Sequence, residues 1–152
     1  MKGGLRGGKL ALLGGKTKRI FVARLLEDED LIEGIRARAE EAEIKAGMLL
    51  LIGSLKEAVL GFYDKGKYKN ILIAGPLEIA SCVGNIAVDE NGETVVHAHL
   101  VVSNEKGQAF GGHLMKKCHV GATAELIMIE VSDVDLRRML DGKTNLKLLK
   151  LD

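Results

Sequence analysis

The sequence predicts an α+β fold, a mostly antiparallel β-sheet with one main N-terminal helix packed on it. Three observations lead there. Residues 28–44 have helical spacing, the only long stretch that does. From residue 46 onward the chain reads as short aliphatic runs. Between those runs lie Lys65-Gly66-Lys67, Asn91-Gly92 and Asn104–Gly107, turn signals that join antiparallel strands.

Each element follows in order. RIFVARLL (19–26) alternates well enough for a strand. Over 28–44, Leu31, Ile32, Ile35, Ala39 and Ala42 form one face, with Glu33, Arg36, Arg38, Glu40 and Glu43 elsewhere. Asp30 followed by Glu33 resembles a capping box, and Gly47 is the expected stop. Strands are then expected over 46–53, 57–64, 71–75, 77–89, 94–103 and 118–131, and spaced leucines mark a tail over 135–150. About seven strands result, with no internal repeat, linker or low-complexity tract.

A chain of 152 residues suits one domain with a real core. No stretch approaches the roughly 18 uncharged apolar residues of a membrane span. The start has too short an apolar centre for a signal peptide, so the expected location is cytoplasmic. Cys82 and Cys118 lack CxxC spacing and read as small core residues. The net charge of +1 hides an asymmetry: residues 1–26 carry seven bases and no acid, and the remainder is net −6. Residues 1–16 are therefore expected to form a basic leader, and 17–150 the domain. Lys2, Arg6, Lys9, Lys16, Lys18 and Arg19 are the residues expected to give weak DNA binding.

The chemistry concentrates in the histidines. His97 and His99 lie in VVHAHLVVSN, where flanking valines and leucine specify a strand. Side chains two apart share a face, about 6.6 Å apart along the chain. His113 follows in FGGHLM, a glycine-flanked return able to close a three-nitrogen site. Three imidazoles plus one open position is a known arrangement for zinc, so Zn is the expected cofactor. Gly111 and Gly112 are expected to let the backbone turn closely around the ion. Glu125, expected on a neighbouring strand, is the candidate catalytic carboxylate, orienting a ligand or acting as general base.

Other motifs fail on their own requirements. Gly14-Gly15-Lys16-Thr17 ends like a phosphate-binding loop, but Leu10 stands where a glycine is needed and a strand follows. No serine sits in GxSxG. Gly92, His97-Ala98-His99, Glu105 and Gly112 echo a cupin motif with shifted gaps, and Pro76 lies upstream of it rather than downstream.

Read together, IGSL (52–55), LGFYD (60–64), GPLEIASCVGNIAVDENG (75–92), VHAHLVVSN (96–104), FGGHLMKKCHVGATAELIMIE (110–130) and RRMLDGKTNLKLL (137–149) resemble the PPC domain, the plants and prokaryotes conserved family. The resemblance spans about residues 17–150. It implies an α+β fold, a homotrimer, and zinc on His97, His99 and His113. It also implies a DNA-binding or regulatory module, by association with plant members that carry an AT-hook. That hook's Arg-Gly-Arg-Pro core is absent; Arg6-Gly7-Gly8-Lys9 is a faint echo. The residues by themselves leave open a zinc-dependent lyase or hydrolase acting on an unknown small molecule.

Overall fold

The structure is a computed structural model that describes residues 12–150. Lys2, Arg6 and Lys9 of the expected basic leader lie outside the described residues. The element order is β1 (Lys16–Leu25), α1 (Leu31–Glu41), β2 (Gly47–Asp64), β3 (Lys67–Asp89), β4 (Thr94–Ser103), β5 (Ala109–Leu114), β6 (His119–Ser132), β7 (Arg137–Asp141) and β8 (Leu146–Lys150). The molecule is mostly sheet, and the single helix among the described residues is small beside it.

The helix is shorter than its periodicity suggests. Asp30 is the N-cap, and its side chain accepts a hydrogen bond from the Glu33 amide at 3.2 Å. The reciprocal half of a capping box is not made, because the Glu33 carboxylate turns to Arg36 and Lys116. The helix stops before Gly47: Ala42 caps it, and Glu43 takes the left-handed conformation at φ 55°. Leu31, Ile35 and Ala39 are fully buried in the core with Leu25, Leu49, Leu100, Leu126 and Met128. Each such large side chain contributes about 1.5–3 kcal/mol by leaving water.

The eight strands form one sheet in the order β1-β6-β2-β5-β4-β3-β7-β8, with a further β2–β3 pairing. The second pairing closes β2, β3, β4 and β5 into a ring with aliphatic side chains inside. All pairings are antiparallel except β3 with β7.

Two pairs of expected strands are in fact single strands. The runs 46–53 and 57–64 are one strand, β2, because bulges at Leu51/Gly53 and Leu55/Glu57 interrupt alternation without ending the pairing. Gly53 is required there: it sits at φ 146°, and an added Cβ would lie 2.3 Å from the Thr123 carbonyl. Likewise 71–75 and 77–89 belong to β3, with Pro76 at a register irregularity. The β2–β3 hairpin closes on Lys65 and Gly66, both at positive φ (48° and 87°), as a primed turn demands. The leucine-spaced tail is a β7–β8 hairpin, whose turn is held by the Asp141 carboxylate accepting from the Thr144 amide and hydroxyl.

One row of cross-strand partners runs over the outer face of the sheet: Val22, Ile127, Leu50, Val83, His99 and His113. Direct partners point to the same side. The outer face is thus apolar at the β1–β6–β2 end and carries the histidines at the β4–β5 end. No helix among the described residues is long and apolar enough to cross a membrane.

Candidate metal centre

Strand alternation and register assemble the histidines. His97 and His99 project from the same side of β4, and His99 is the direct partner of His113 on β5. Ring centroids are 5.5 Å apart for His97–His99, 5.0 Å for His97–His113 and 5.5 Å for His99–His113. Each ring offers one nitrogen, and the three lie within 4.8 Å of one another. A tetrahedral zinc needs roughly 3.3 Å between ligand nitrogens, so small rotations about χ angles close the gap.

Burial prepares the donors. His97 and His113 are both lowered from 6.5 to about 4, first by burial. For His97 the nearby Arg138 charge adds to it; for His113 the neighbouring histidines do. Both are neutral at pH 7, the form that ligates metal. Neutral imidazoles suit zinc and other borderline ions rather than magnesium or calcium.

A second layer surrounds the cluster. Tyr68 from β3 stacks on His113 with centroids 4.5 Å apart, and its hydroxyl lies 3.4 Å from Nδ1. Asn85, the direct β3 partner of His97, accepts at Oδ1 from Arg138 at 2.9 Å. Arg138 on β7 also donates to the Lys147 carbonyl at 3.0 Å and to His97 Nδ1 at 2.8 Å. A guanidinium can only donate, so His97 Nδ1 is the acceptor and Nε2 carries the ring proton in this arrangement. Sequence reasoning found the histidines and missed Tyr68 and Arg138. Arg138 carries no local signal: Arg137 beside it is exposed and Arg138 buried, and the sequence alone does not tell the two apart. Asn85, within the segment 75–92 that carries the family resemblance, is a hydrogen-bonding member of the cluster's surroundings.

Gly84 makes this closeness possible. Its added Cβ would lie 2.1 Å from the His97 carbonyl and 2.6 Å from Ala98 Cα. Gly111 and Gly112 differ from expectation. Neither has positive φ; both are extended residues of β5. Gly112 is constrained by the approach of β2, since a Cβ there would come within 3.0 Å of the Gly61 carbonyl. Both lie within the paired strand rather than at a turn.

Glu125 is also placed differently. It lies on β6 between Arg24 of β1 and Ile52 of β2, and both β2 and β3 stand between β6 and β4. It is therefore not on a strand neighbouring the histidines. His119 is likewise apart, with Nδ1 2.7 Å from Glu57 Oε1. Of the basic residues expected to give weak DNA binding, Lys16, Lys18 and Arg19 belong to β1. Lys18 and Arg19 pair with Glu130, and Lys16 pairs with Asp133. Cys82 and Cys118 are buried and free, and burial pushes their thiols up to about 12 and about 11. They are inert core residues at neutral pH.

Known proteins share this arrangement of strands. A Pyrococcus horikoshii plant- and prokaryote-conserved protein superposes with a TM-score of 0.83 at 30% identity, over 90% of this chain and 94% of that one. A metal-containing protein of Archaeoglobus fulgidus gives 0.82 at 28%, over 91% and 98%. A Ralstonia eutropha JMP134 protein provisionally described as DNA-binding gives 0.76 at 28%, over 86% and 90%. In sequence, the bifunctional protein GlmU of Synechococcus sp. (strain JA-3-3Ab) is 31% identical over 127 residues, 83% of this chain. The chain spans about a fifth (19%) of that relative's length. The profile of the Plants and Prokaryotes Conserved (PCC) domain matches residues 13–132, from β1 through the histidine strands to the end of β6. With that match across most of its length, the chain belongs to the Plants and Prokaryotes Conserved domain family.

Proposed function

We propose that the chain is a zinc-binding module whose three-histidine centre serves a small-molecule ligand. One observation carries the reading: three imidazoles on one sheet face offer nitrogens within 4.8 Å of one another. The metal content of the A. fulgidus relative supports a metal in this place, and the neutral imidazole donor set favours zinc or another borderline ion. His97, His99 and His113 would hold the ion, and its open position would supply Lewis acidity toward a bound oxygen. Turnover by a lyase or hydrolase is the enzymatic form of this reading; Glu125 is not part of it within one chain. Elemental analysis of chelator-free protein tests the centre. About one equivalent of zinc per chain is expected. Less than a tenth of an equivalent after zinc is supplied would leave the histidines a structural cluster.

We also propose a homotrimer, as the family resemblance implies. Support comes from Ile20, Val22, Met48, Leu50, Ile52 and Ile127, large apolar side chains each at least 40% exposed on one face. Light scattering after size exclusion should give about three times 16.4 kDa. A concentration-independent monomer rejects it.

A second reading, DNA binding, rests on the description of the R. eutropha relative and on the basic residues near the start of the chain. The pairing of Lys18 and Arg19 with Glu130 leaves less charge for phosphates. Binding on this reading is weak, sequence-tolerant and steeply salt-dependent, and fluorescence anisotropy with a duplex at stepped salt measures it.

A further inference from the structure

Arg138 presents an unusual combination. The residue is almost wholly buried, at 5% exposure, yet among the described residues it forms no ion pair with a carboxylate. The nearest acid on its paired strand, Asp89, is already engaged. One oxygen takes Lys147 Nζ at 2.7 Å, and the other takes the amides of Asn91 and Glu93. The guanidinium instead rests on three neutral acceptors, His97 Nδ1, Asn85 Oδ1 and the Lys147 carbonyl. Its Nε is buried without any partner. A buried cation with an unused donor is costly unless an anion completes it.

Metal binding changes the balance. If an ion takes Nδ1 of His97, that lone pair is lost to Arg138. If it takes Nε2, the ring proton moves to Nδ1, and two donors then face each other. Either way the Arg138–His97 hydrogen bond and a metal on His97 exclude each other. The displaced guanidinium stays tethered by Asn85 and Lys147, beside a dication, and its freed N–H needs an acceptor carrying negative charge.

The cavity says which anion fits. It measures about 180 Å³ and lies between Tyr68, His97, His113 and Arg138, with apolar walls from Val95 and Leu148. That is below the roughly 300–1,000 Å³ of pockets for drug-sized ligands. A guanidinium fork matches a carboxylate, and apolar walls suit a short carbon chain.

We infer that Arg138 is the anion anchor of the centre, so that the ligand is a small organic carboxylate held between the metal and the guanidinium. The inference deepens the metal reading above and rests on it. Two consequences distinguish an anchor from a merely structural arginine. Without a carboxylate, Arg138 competes with the metal for His97 and repels it. With one, Arg138 strengthens metal binding.

Zinc affinity of the full chain, read by competition with a chromophoric chelator, tests both, using propionate as the probe. In carboxylate-free buffer, Arg138→Gln should bind zinc as tightly as wild type or tighter. With propionate, zinc binding by wild type should strengthen, and that gain should fall by roughly tenfold or more in Arg138→Gln. Arg138→Lys keeps the charge without the fork and should fall between them; it also carries the test if the Gln variant does not fold. Weaker zinc binding by both variants with and without propionate would show a structural role and overturn the inference. An equal gain from propionate in all three proteins would overturn it too. A greater gain from inorganic phosphate than from propionate would overturn the carboxylate assignment. If wild type takes up no transition metal, the metal reading falls together with this one. If zinc binds with an affinity that neither propionate nor Arg138 substitution changes, the metal centre stands and the inference alone falls.

Discussion

Two nearly buried charges lie at opposite ends of this sheet, and they are treated differently. Glu130 on β6, with its side chain 7% exposed, receives Lys18 at 3.0 Å and also the Arg19 side chain from β1. Arg138 on β7 receives no carboxylate among the described residues and keeps one donor unused. The β1–β6 end is closed electrostatically and reads as structure. The β4–β5 end is left incomplete, and incompleteness at a buried charge is where a ligand is expected.

The largest effect that would break this contrast concerns the ion. His99→Ala removes the ligand that faces His113 directly across the β4–β5 pair. Zinc affinity should drop by about 100-fold or more, at least the upper range seen for losing a residue that merely supports a ligand. Glu130→Gln should leave zinc affinity unchanged. Equal zinc binding by wild type and His99→Ala, measured by chelator competition, would put the site elsewhere.

Next comes the backbone beneath the histidines. Gly84→Ala places a methyl 2.1 Å from the His97 carbonyl, so β3 and β4 must separate. Overpacking of this kind costs about 1–3 kcal/mol. Chemical denaturation should show that loss, with weaker zinc binding, because His97 moves with its carbonyl. Unchanged stability would mean that the two strands are not held this closely.

How much of this was legible beforehand follows from which forces act locally. Alternation on β4 and the glycine-flanked return to His113 are short-range patterns, and the three histidines come together as the sequence suggests. Glu125 was misplaced because strand order is not chain order: β6 pairs with β1 and β2, two strands from β4. Arg138 was invisible because its partners, Asn85 and His97, lie 53 and 41 residues away. The four expected runs that became β2 and β3 were divided at bulges, where alternation slips but pairing continues. The tail's leucines carry no clear period, and only pairing of β7 with β3 and β8 assigns them.

A smaller effect separates Arg138 as an anchor from Arg138 as a structural donor. Arg138→Met deletes three hydrogen bonds, which at about 1 kcal/mol each predicts a clear loss of stability. It also removes an uncompensated buried charge, and replacing buried charge by a well-packed apolar side chain is often neutral or stabilising. Stability of the metal-free protein should therefore stay within about 1 kcal/mol of wild type, a Tm change of roughly 2–4 °C in either direction. A loss of about 3 kcal/mol would make Arg138 a structural donor.

The smallest effect tests the closed end. Arg19 first, by its hydrogen bond, and Lys18 after it hold the Glu130 carboxyl below its ordinary 4.5. A depressed carboxyl adds stability above its unfolded pKa and loses it as pH falls through the folded value. At pH 7 Glu130→Gln should lower Tm by about 1–2 °C, because both cationic partners are about half exposed and recover solvation. The gap between variant and wild type should then narrow as pH drops below 4.5, where the native carboxyl takes up its proton. Added salt at pH 7 should narrow it as well. Thermal melts from pH 7 to pH 3 measure this directly. A gap independent of both pH and salt would assign the loss to packing of the Glu130 side chain, and the charge contrast between the two ends would then rest on Arg138 alone.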